Sequence, residues 1–243
     1  MTSKLHPARI LNDETIVPIA IPGIHERFLA WFSRRMADQP NATVLDVGAG
    51  HGAMTQALHR AGYAVSACDK FPEFYRYSAV PCSRADFVAG LPFAEASFDA
   101  LVACEITEHM HDHGIFFKAC ARVLKPGGRM FISTPNILSL KSRFRFLTTG
   151  YPYTFGPLDK DRDDGLQHVA SLSFDQYAYV ARRAGLDVVA YEMDMLQRSS
   201  IGLLPLMPLL WIATLWNKVR KSEHNRMKLL LGRILFVEFV RKN

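Results

Sequence analysis

Apolar and polar positions along this chain follow two rhythms. Thr43–Val47, Tyr63–Cys68 and Phe98–Cys104 are short apolar runs closed by glycine or acidic residues, which predicts strands buried on both faces. Elsewhere apolar residues recur three and four positions apart. Phe28, Leu29, Phe32 and Met36 do so after Pro22-Gly23, and Ile115, Phe116, Ala119 and Val123 do so before Lys125-Pro126-Gly127-Gly128. Ile24–Met36 and Ile115–Leu124 are therefore expected as helices. Ala53–Arg60 reads as a helix opened by a glycine loop, Pro81–Asp86 as holding a short strand, and Arg129–Ser133 as a further strand. After Asn136 the rhythm is lost. It returns with Phe174–Ala184, a helix closed by Gly185, and with the strands Leu186–Met193 and Ile234–Val240.

Strands alternating with helices predict an α/β fold, a parallel sheet with helices on both faces. Ligands of such sheets bind beyond the carboxyl ends of the strands. Asp46–Gly52, Asp69, Asp86, Cys104–His109 and Thr134–Asn136 are thus expected to line one cleft. The expected organisation is a helical lead-in over 1–41 and a core over 42–195 with a lid at 137–170. An apolar and basic insertion over 196–232 and the last core strand over 233–243 complete it.

Composition narrows the class. The 243 residues are 49% hydrophobic, which suits a globular domain and excludes a disordered chain. A formal net charge of +6 favours anionic partners without choosing among phosphorylated substrates, nucleic acid and acidic lipid. The four cysteines, Cys68, Cys82, Cys104 and Cys120, form no CxxC pair, so neither a disulfide scaffold nor a cysteine zinc site is expected. The opening MTSKLHPARILNDE lacks the apolar core of a secretory leader, and a reducing cytoplasm is the expected setting.

The densest chemical signal is VLDVGAGHG, Val44–Gly52. Glycines at 48, 50 and 52 remove side chains where a ligand meets the backbone, and the following helix points its first amides at that ligand. Asp69 lies nineteen residues beyond Gly50, at a strand end where an acid accepts hydrogen bonds from ribose hydroxyls. By letters alone this is also a nicotinamide-dinucleotide fingerprint. Asp46 tilts the choice, because a carboxylate two residues before the loop suits a cationic ligand and repels a pyrophosphate.

Taken in order, VLDVGAGHG, ACDK, ADFVAGLPFAEASFDALVACEITEH and LKPGGRMFISTPN resemble the motif set of class I S-adenosylmethionine-dependent methyltransferases, over about Ala42–Asn136. The resemblance implies a Rossmann-like seven-stranded sheet in the order 3-2-1-4-5-7-6 with strand 7 antiparallel. It implies S-adenosylmethionine as cofactor. Asp46 and the loop Gly48, Ala49, Gly50, His51 and Gly52 would hold the methionine part. Asp69, followed by Lys70, would bind the ribose. Asp86 and Phe87 would flank the adenine, and Cys104 would lie beside the sulfonium.

CEITEHMHDH adds Glu105, Glu108 and His109. If Glu105 starts a helical turn, these three share one face, over the methyl donor. Methyl transfer to a hydroxyl needs the oxygen positioned and its proton removed, for which His109 is a general base, with Glu108 beside it. Alternatively, the two acids and the imidazole hold a divalent ion that lowers the hydroxyl's pKa. The E-x-x-E-H string resembles that of ubiquinone-biosynthesis O-methyltransferases and of small-RNA 2′-O-methyltransferases. In the RNA group these residues bind metal and a later histidine completes the site, which implies Glu105, Glu108, His109 and His168 as ligands, for magnesium or manganese.

Two further segments bear on the acceptor. SLKSRFRFLTTG interleaves Lys141, Arg143 and Arg145 with Phe144 and Phe146, a composition that grips nucleic acid or a nucleotide-sugar, or else a helix with one solvated face. Ser199–Asn217 carries no charge, is broken by Pro205 and Pro208, and runs into Lys218, Arg220, Lys221, Arg226 and Lys228 against the single acid Glu223. It reads as an interfacial helix pair, so 199–228 is expected to touch a membrane at its cytoplasmic face. A dimer interface or a lid is the alternative. The layout also resembles bacterial methyltransferases of surface-polysaccharide and glycolipid assembly. The expected function is O-methylation of a hydroxyl on a glycan, lipid-linked sugar or prenylated phenol. An RNA 2′-O-methyltransferase and a non-enzymatic, cofactor-binding assembly partner stand second.

Overall fold

The computed structural model describes residues 15–87, 89–162, 164–217 and 223–243. The amino-terminal stretch 1–14, Val88 of the ADFVAG motif, and the cations Lys218, Arg220 and Lys221 lie outside the described residues.

One sheet organises the chain. Its strands are β1 (Thr43–Val47), β2 (Ala64–Asp69), β3 (Cys82–Arg84), β4 (Phe98–Cys104), β5 (Leu124–Pro135), β6 (Leu186–Met193) and β7 (Ile234–Arg241). They lie in the order β3-β2-β1-β4-β5-β7-β6. β1 to β5 pair parallel, whereas β7 runs antiparallel to β5 and β6. This is the expected Rossmann-like sheet. Strand order reverses between β1 and β4, so the crevice for a ligand opens beyond Val47 and Cys104.

Alternating residues of each strand feed two cores. Leu45, Val47, Leu101, Ala103, Met130 and Ile132 face α3 (His113–Val123) and α5 (Phe174–Arg183). Val44, Ala100, Val102 and Phe131 face α1 (Ile24–Arg35) and α2 (Ala53–Arg60). On that second face Phe28, Trp31 and Phe32 pack edge-on against Phe131 and Phe236, with ring centroids 4.8 Å apart for Phe32–Phe131 and 5.1 Å for Phe28–Phe236. Asp46 and Cys104 end their strands on this face, which determines where their side chains can act.

Strand β5 is longer than its apolar run predicts. Helix α3 stops at Val123, but the chain extends through Lys125-Pro126-Gly127-Gly128 and pairs with β4 at once, Phe98 opposite Leu124, before the register shifts. Proline and glycine break a helix but do not forbid an edge-like start to a strand.

The insertion forms three short helices, α6 (Arg198–Ile201), α7 (Met207–Trp216) and α8 (Met227–Leu231). It seats on α4 (Leu140–Thr149) through an apolar cluster of Leu140, Met207, Leu230 and Leu231. Asn136, at the end of STPN, donates from Nδ2 to the carbonyls of Leu229 and Gly232, both at 2.8 Å. No described helix is long and apolar enough to cross a membrane.

A buried ion cluster ties α1 to the sheet. Glu238 of β7 is fully buried, with Arg35 Nε 2.5 Å from Oε2 and Arg129 Nε 3.0 Å from Oε1. Removing Arg129 leaves the buried Glu238 carboxylate with Arg35 as its one remaining counter-charge here, whereas removing the acid leaves cations that still reach water. Arg129→Met is expected to cost about 3 kcal/mol in urea unfolding, and Glu238→Gln clearly less. The reverse order would assign the cluster no electrostatic role.

Candidate functional site

At the end of β1 the chain turns sharply through the glycine loop. Gly48 and Gly52 have φ of 75° and 92°, in the left-handed region. A Cβ on Gly48 would lie 2.2 Å from Ile106 Cδ1, and one on Gly52 2.7 Å from Tyr75 Cε2. Ile106 and Tyr75 therefore cover the loop. Gly48 and Ala49 donate to the Cys68 carbonyl at 2.9 and 3.1 Å, and the His51 carbonyl accepts from the Arg76 amide at 3.1 Å.

The expected acids gather here. Asp69 accepts from the amides of Gly50 and Phe71, each at 2.8 Å, and so holds the loop against β2. Asp46 is buried and accepts from the Thr55 hydroxyl at 2.6 Å. Burial pushes its carboxyl up to about 7 against the lowering effect of that hydroxyl. Cys104 is buried, with the Ser133 hydroxyl 3.3 Å from its sulfur, and burial raises its thiol pKa. Phe87 is half-buried and packs edge-on against Phe116 at 5.7 Å. Asp86 and Lys70 sit at the exposed rim, with Lys70 Nζ 5.2 Å from the Phe71 ring centroid.

Beyond β4 the structure departs from the expected helical turn. Glu105 has φ of 55°, a left-handed residue that cannot begin an α-helix, and only Thr107–His109 forms a single 3₁₀ turn. Glu105 and Glu108 consequently do not share a helical face. The Glu105 carboxylate accepts from the Ser133 hydroxyl at 2.8 Å, and burial lifts it to about 7. Glu108 instead converges with His109 and His168, one ligand atom from each lying within 4.8 Å of the others. The expected four-residue set thus comes together as three.

The donor chemistry of these three is well defined. His109 Nδ1–H donates to the Gln167 carbonyl at 2.9 Å, which leaves the Nε2 lone pair free. Glu108 Oε2 and His168 Nδ1 are buried without a hydrogen-bond partner. Burial raises the Glu108 carboxyl well above its ordinary range, with Glu105 adding to the rise, and lowers both imidazoles, so each histidine favours the neutral form. An orphaned buried carboxylate oxygen and an orphaned imidazole nitrogen, on residues whose ligand atoms come within 4.8 Å of one another, fit a divalent cation.

Known proteins resemble this chain in sequence and fold. The methyltransferase domain family matches residues 45–132. The ubiquinone biosynthesis O-methyltransferase of Caulobacter vibrioides is 32% identical over 145 residues, 55% of this chain and 56% of that protein. Its Xylella fastidiosa counterpart is 38% identical over 124 residues, 44% of this chain and 47% of that protein. The match therefore spans about half the length of these relatives. Among solved structures, an S-adenosylmethionine-dependent methyltransferase from Archaeoglobus fulgidus superposes with a TM-score of 0.59 at 15% identity, covering 89% of this chain and 94% of that one. The 1,6-didemethyltoxoflavin-N1-methyltransferase of Burkholderia thailandensis gives 0.56 at 15% identity, covering 91% and 79%. Residues 45–132 thus resemble a methyltransferase domain, and the fold is that of S-adenosylmethionine-dependent methyltransferases.

The lid is clamped to the β4 end. The Glu108 carbonyl accepts from the amides of Val169 and Ala170 at 2.8 and 3.1 Å. Behind this clamp lies a cavity of about 460 Å³, lined by Ile137, Tyr151, Phe155, Leu158, His168 and Ser171. Phe155 packs edge-on against His168 at 5.2 Å and holds its ring. Arg143 and Arg145 are used internally. Arg143 donates to the Leu138 and His224 carbonyls and to Asn225 Oδ1, and Arg145 to the Pro152 and Phe155 carbonyls. All three Arg143 nitrogens are thus engaged within the protein and Arg145 is held at Nη1, so the two arginines brace the lid. A separate cavity of about 410 Å³ opens at the amino ends of the strands, around Thr43, Val65 and Ser97, away from these groups.

Three residues over the loop carried no sequence signal. Ile106 is the unspecified position of E-x-x-E-H. Tyr75 belongs to no motif. Ile19, whose Cδ1 comes within 3.4 Å of where a Gly50 Cβ would be, lies far upstream in the lead-in. Only its place in an apolar PIAIPGI stretch hints that it packs.

Asp46 makes a pH prediction. Folding raises its pKa from 3.8 to about 7, so the stability gained by keeping it protonated is complete below pH 3.8 and lost as pH rises to about 7. Ligand-free Asp46→Asn should lose less melting temperature than the parent over that interval. With its expected ammonium partner bound, the parent's affinity for S-adenosylhomocysteine should rise with pH and level off near 7. The variant should bind about tenfold or more weakly, without that pH dependence, in calorimetry.

Proposed function

We propose that the protein is a methyltransferase that moves the methyl group of S-adenosylmethionine to a hydroxyl oxygen of an acceptor held in the lid cavity. The observation that carries this reading is the convergence of Glu108 and His109 with His168, which lines the lid cavity. The O-methyltransferase names of the relatives support oxygen as the acceptor atom.

The side chains divide the work. Asp46 faces the ammonium of the methionine part, Asp69 meets the ribose once the loop opens toward it, and Asp86 and Phe87 border the base. Lys70 lies at the rim of the ribose site. Cys104 presents a neutral thiol beside the sulfonium, where a charged group would compete for solvation. His109, neutral and with Nε2 free, takes the acceptor proton as the oxygen forms its bond to the methyl carbon; the electron pair of the breaking carbon–sulfur bond stays with sulfur. Alternatively, Glu108, His109 and His168 would hold a divalent ion that lowers the hydroxyl's pKa and orients it; His109 Nε2 would then be a ligand and not the base. Two imidazoles and one carboxylate suit manganese, iron or zinc better than magnesium, which prefers an all-oxygen shell.

The cavity walls favour a ring or chain of largely apolar surface carrying the hydroxyl. Of the acceptor classes expected from the sequence, a prenylated phenol or lipid-linked sugar fits that lining better than a free glycan or an RNA end. Such acceptors are met at the cytoplasmic face of a membrane, where we place the reaction.

Methyl transfer from labelled cofactor to a hydroxylated aromatic or lipid-linked panel tests the reading. His109→Ala should lower kcat about 100-fold or more while leaving S-adenosylhomocysteine affinity within about twofold. His168→Ala should lower bound metal in step with kcat. Full turnover in chelator with an unchanged His168→Ala rate would leave His109 acting as a plain base. Absent cofactor binding by the intact chain would overturn the methyltransferase reading itself.

A further inference from the structure

Helix α7 differs from every other helix of the chain. Its sequence, MPLLWIATLW, has no charged residue, and apolar side chains go all the way round it. A helix of that composition is ordinarily buried on all sides. Here Met207 alone is buried, while Leu209, Trp211, Ile212, Leu215 and Trp216 are exposed, Trp216 at 84%. Ten residues span about 15 Å, too short to cross a bilayer and long enough to lie in its interface.

The flanking charge indicates what covers it. From Met195 to Ser222 the sequence contains no acid, yet it holds Arg198, Lys218, Arg220 and Lys221. Arg226 and Lys228 do not add to this excess, because they pair with Glu223 and Glu192, each at 2.7 Å. A second copy of the chain would bring the same cation-rich patch against itself across a twofold axis, which like charges oppose. An anionic bilayer supplies both an apolar bed for leucine and tryptophan and phosphates for the cations, and tryptophan favours that boundary.

We propose that α7 docks the protein on anionic phospholipid membranes, lying in the interface with Leu209, Trp211, Ile212, Leu215 and Trp216 inserted. The docked helix is wired to the lid. Thr214 Oγ1 accepts from Asn225 Nδ2 at 3.0 Å, Asn225 Oδ1 accepts from Arg143 at 2.7 Å, and α4, which carries Arg143, leads directly into Tyr151, Pro152 and Phe155 of the cavity wall. Docking therefore places the lid next to the lipid.

The chain has three tryptophans, and the third, Trp31, is buried in the core, so tryptophan emission reports on α7. The full-length protein is mixed with vesicles of phosphatidylcholine, or of equal phosphatidylcholine and phosphatidylglycerol, with and without brominated acyl chains. The expected result is a blue shift and bromine quenching with the anionic vesicles, weakening as salt rises, and at least about tenfold weaker co-sedimentation with phosphatidylcholine alone. Leu209→Lys with Ile212→Lys should lower anionic-vesicle binding about tenfold or more while S-adenosylhomocysteine binding stays intact, which shows the fold is kept. No quenching by anionic vesicles, or equal binding to both kinds, overturns the proposal. So does a blue shift that grows with protein concentration in the absence of lipid, which assigns the helix to a second copy. Vesicle binding is read without turnover, so it stands or falls separately from the proposed methyl transfer.

Discussion

Three carboxylates at one end of the sheet, two buried and one half-buried, set the terms for the rest of the structure. Asp46, Glu105 and Glu108 sit at or just past the carboxyl ends of β1 and β4, and among the described residues none makes an ion pair. Hydroxyls of Thr55 and Ser133 are what two of them have, and Glu108 keeps an orphaned oxygen. Burial of charge without a counter-charge is costly, so desolvation raises Asp46 and Glu105 to about 7 and Glu108 well above its ordinary range. Cationic ligands relieve that cost. Under the proposed function, an ammonium and sulfonium would meet Asp46 and a divalent ion would meet Glu108. A chain with net charge +6 thus gathers acidic groups at this end of the sheet.

The lid follows from the same end of the sheet. Glu108 contributes its carbonyl to two lid amides and its carboxylate to the histidine cluster, so the closing of the cavity and the shaping of the donor set are one event. Arg143 and Arg145 then brace the lid from behind with backbone carbonyls in place of carboxylates. Desolvation lowers the Arg143 pKa without nearly neutralising so basic a group, which makes those carbonyl contacts the compensation for its burial. The expected nucleic-acid grip and the observed brace use the same residues. What separates them is whether a carbonyl lies within reach: Leu138 and His224 supply it for Arg143, and the 150–156 turn supplies it for Arg145.

Legibility tracked sequence distance. The glycine loop, Asp46 and Asp69 could be read because strand, turn and acid fall within one short segment whose local pattern is almost its structure. The sheet order came with the resemblance, and the alternation of strands and helices alone supports only the parallel part. Glu105 failed for a local reason: one positive φ turns its carboxylate back to Ser133, and no spacing rule encodes the sign of a dihedral. Ile19 failed for the opposite reason, since its contact with Gly50 is a tertiary event between an irregular lead-in and the loop. His168 was reachable only by family analogy, because its partners lie some sixty residues upstream and nothing near it marks a ligand.

The position of the apolar insertion also has a topological cause. In a sheet with every strand parallel, a segment inserted before the last strand would emerge at the amino ends, far from the site. Here β7 runs antiparallel, so its first residue, Ile234, lies opposite Pro135 at the carboxyl end of β5. Any chain added just before Ile234 must appear beside STPN, and Asn136 seals that junction through the Leu229 and Gly232 carbonyls. The reversed strand therefore brings α7, α4 and the lid cavity to one side of the molecule. An insertion at this point can change what the domain rests on, and what it draws its acceptor from, without disturbing the cofactor loop at β1. That separation allows a common cofactor-binding core to be adapted to different acceptors by altering only the stretch between β6 and β7.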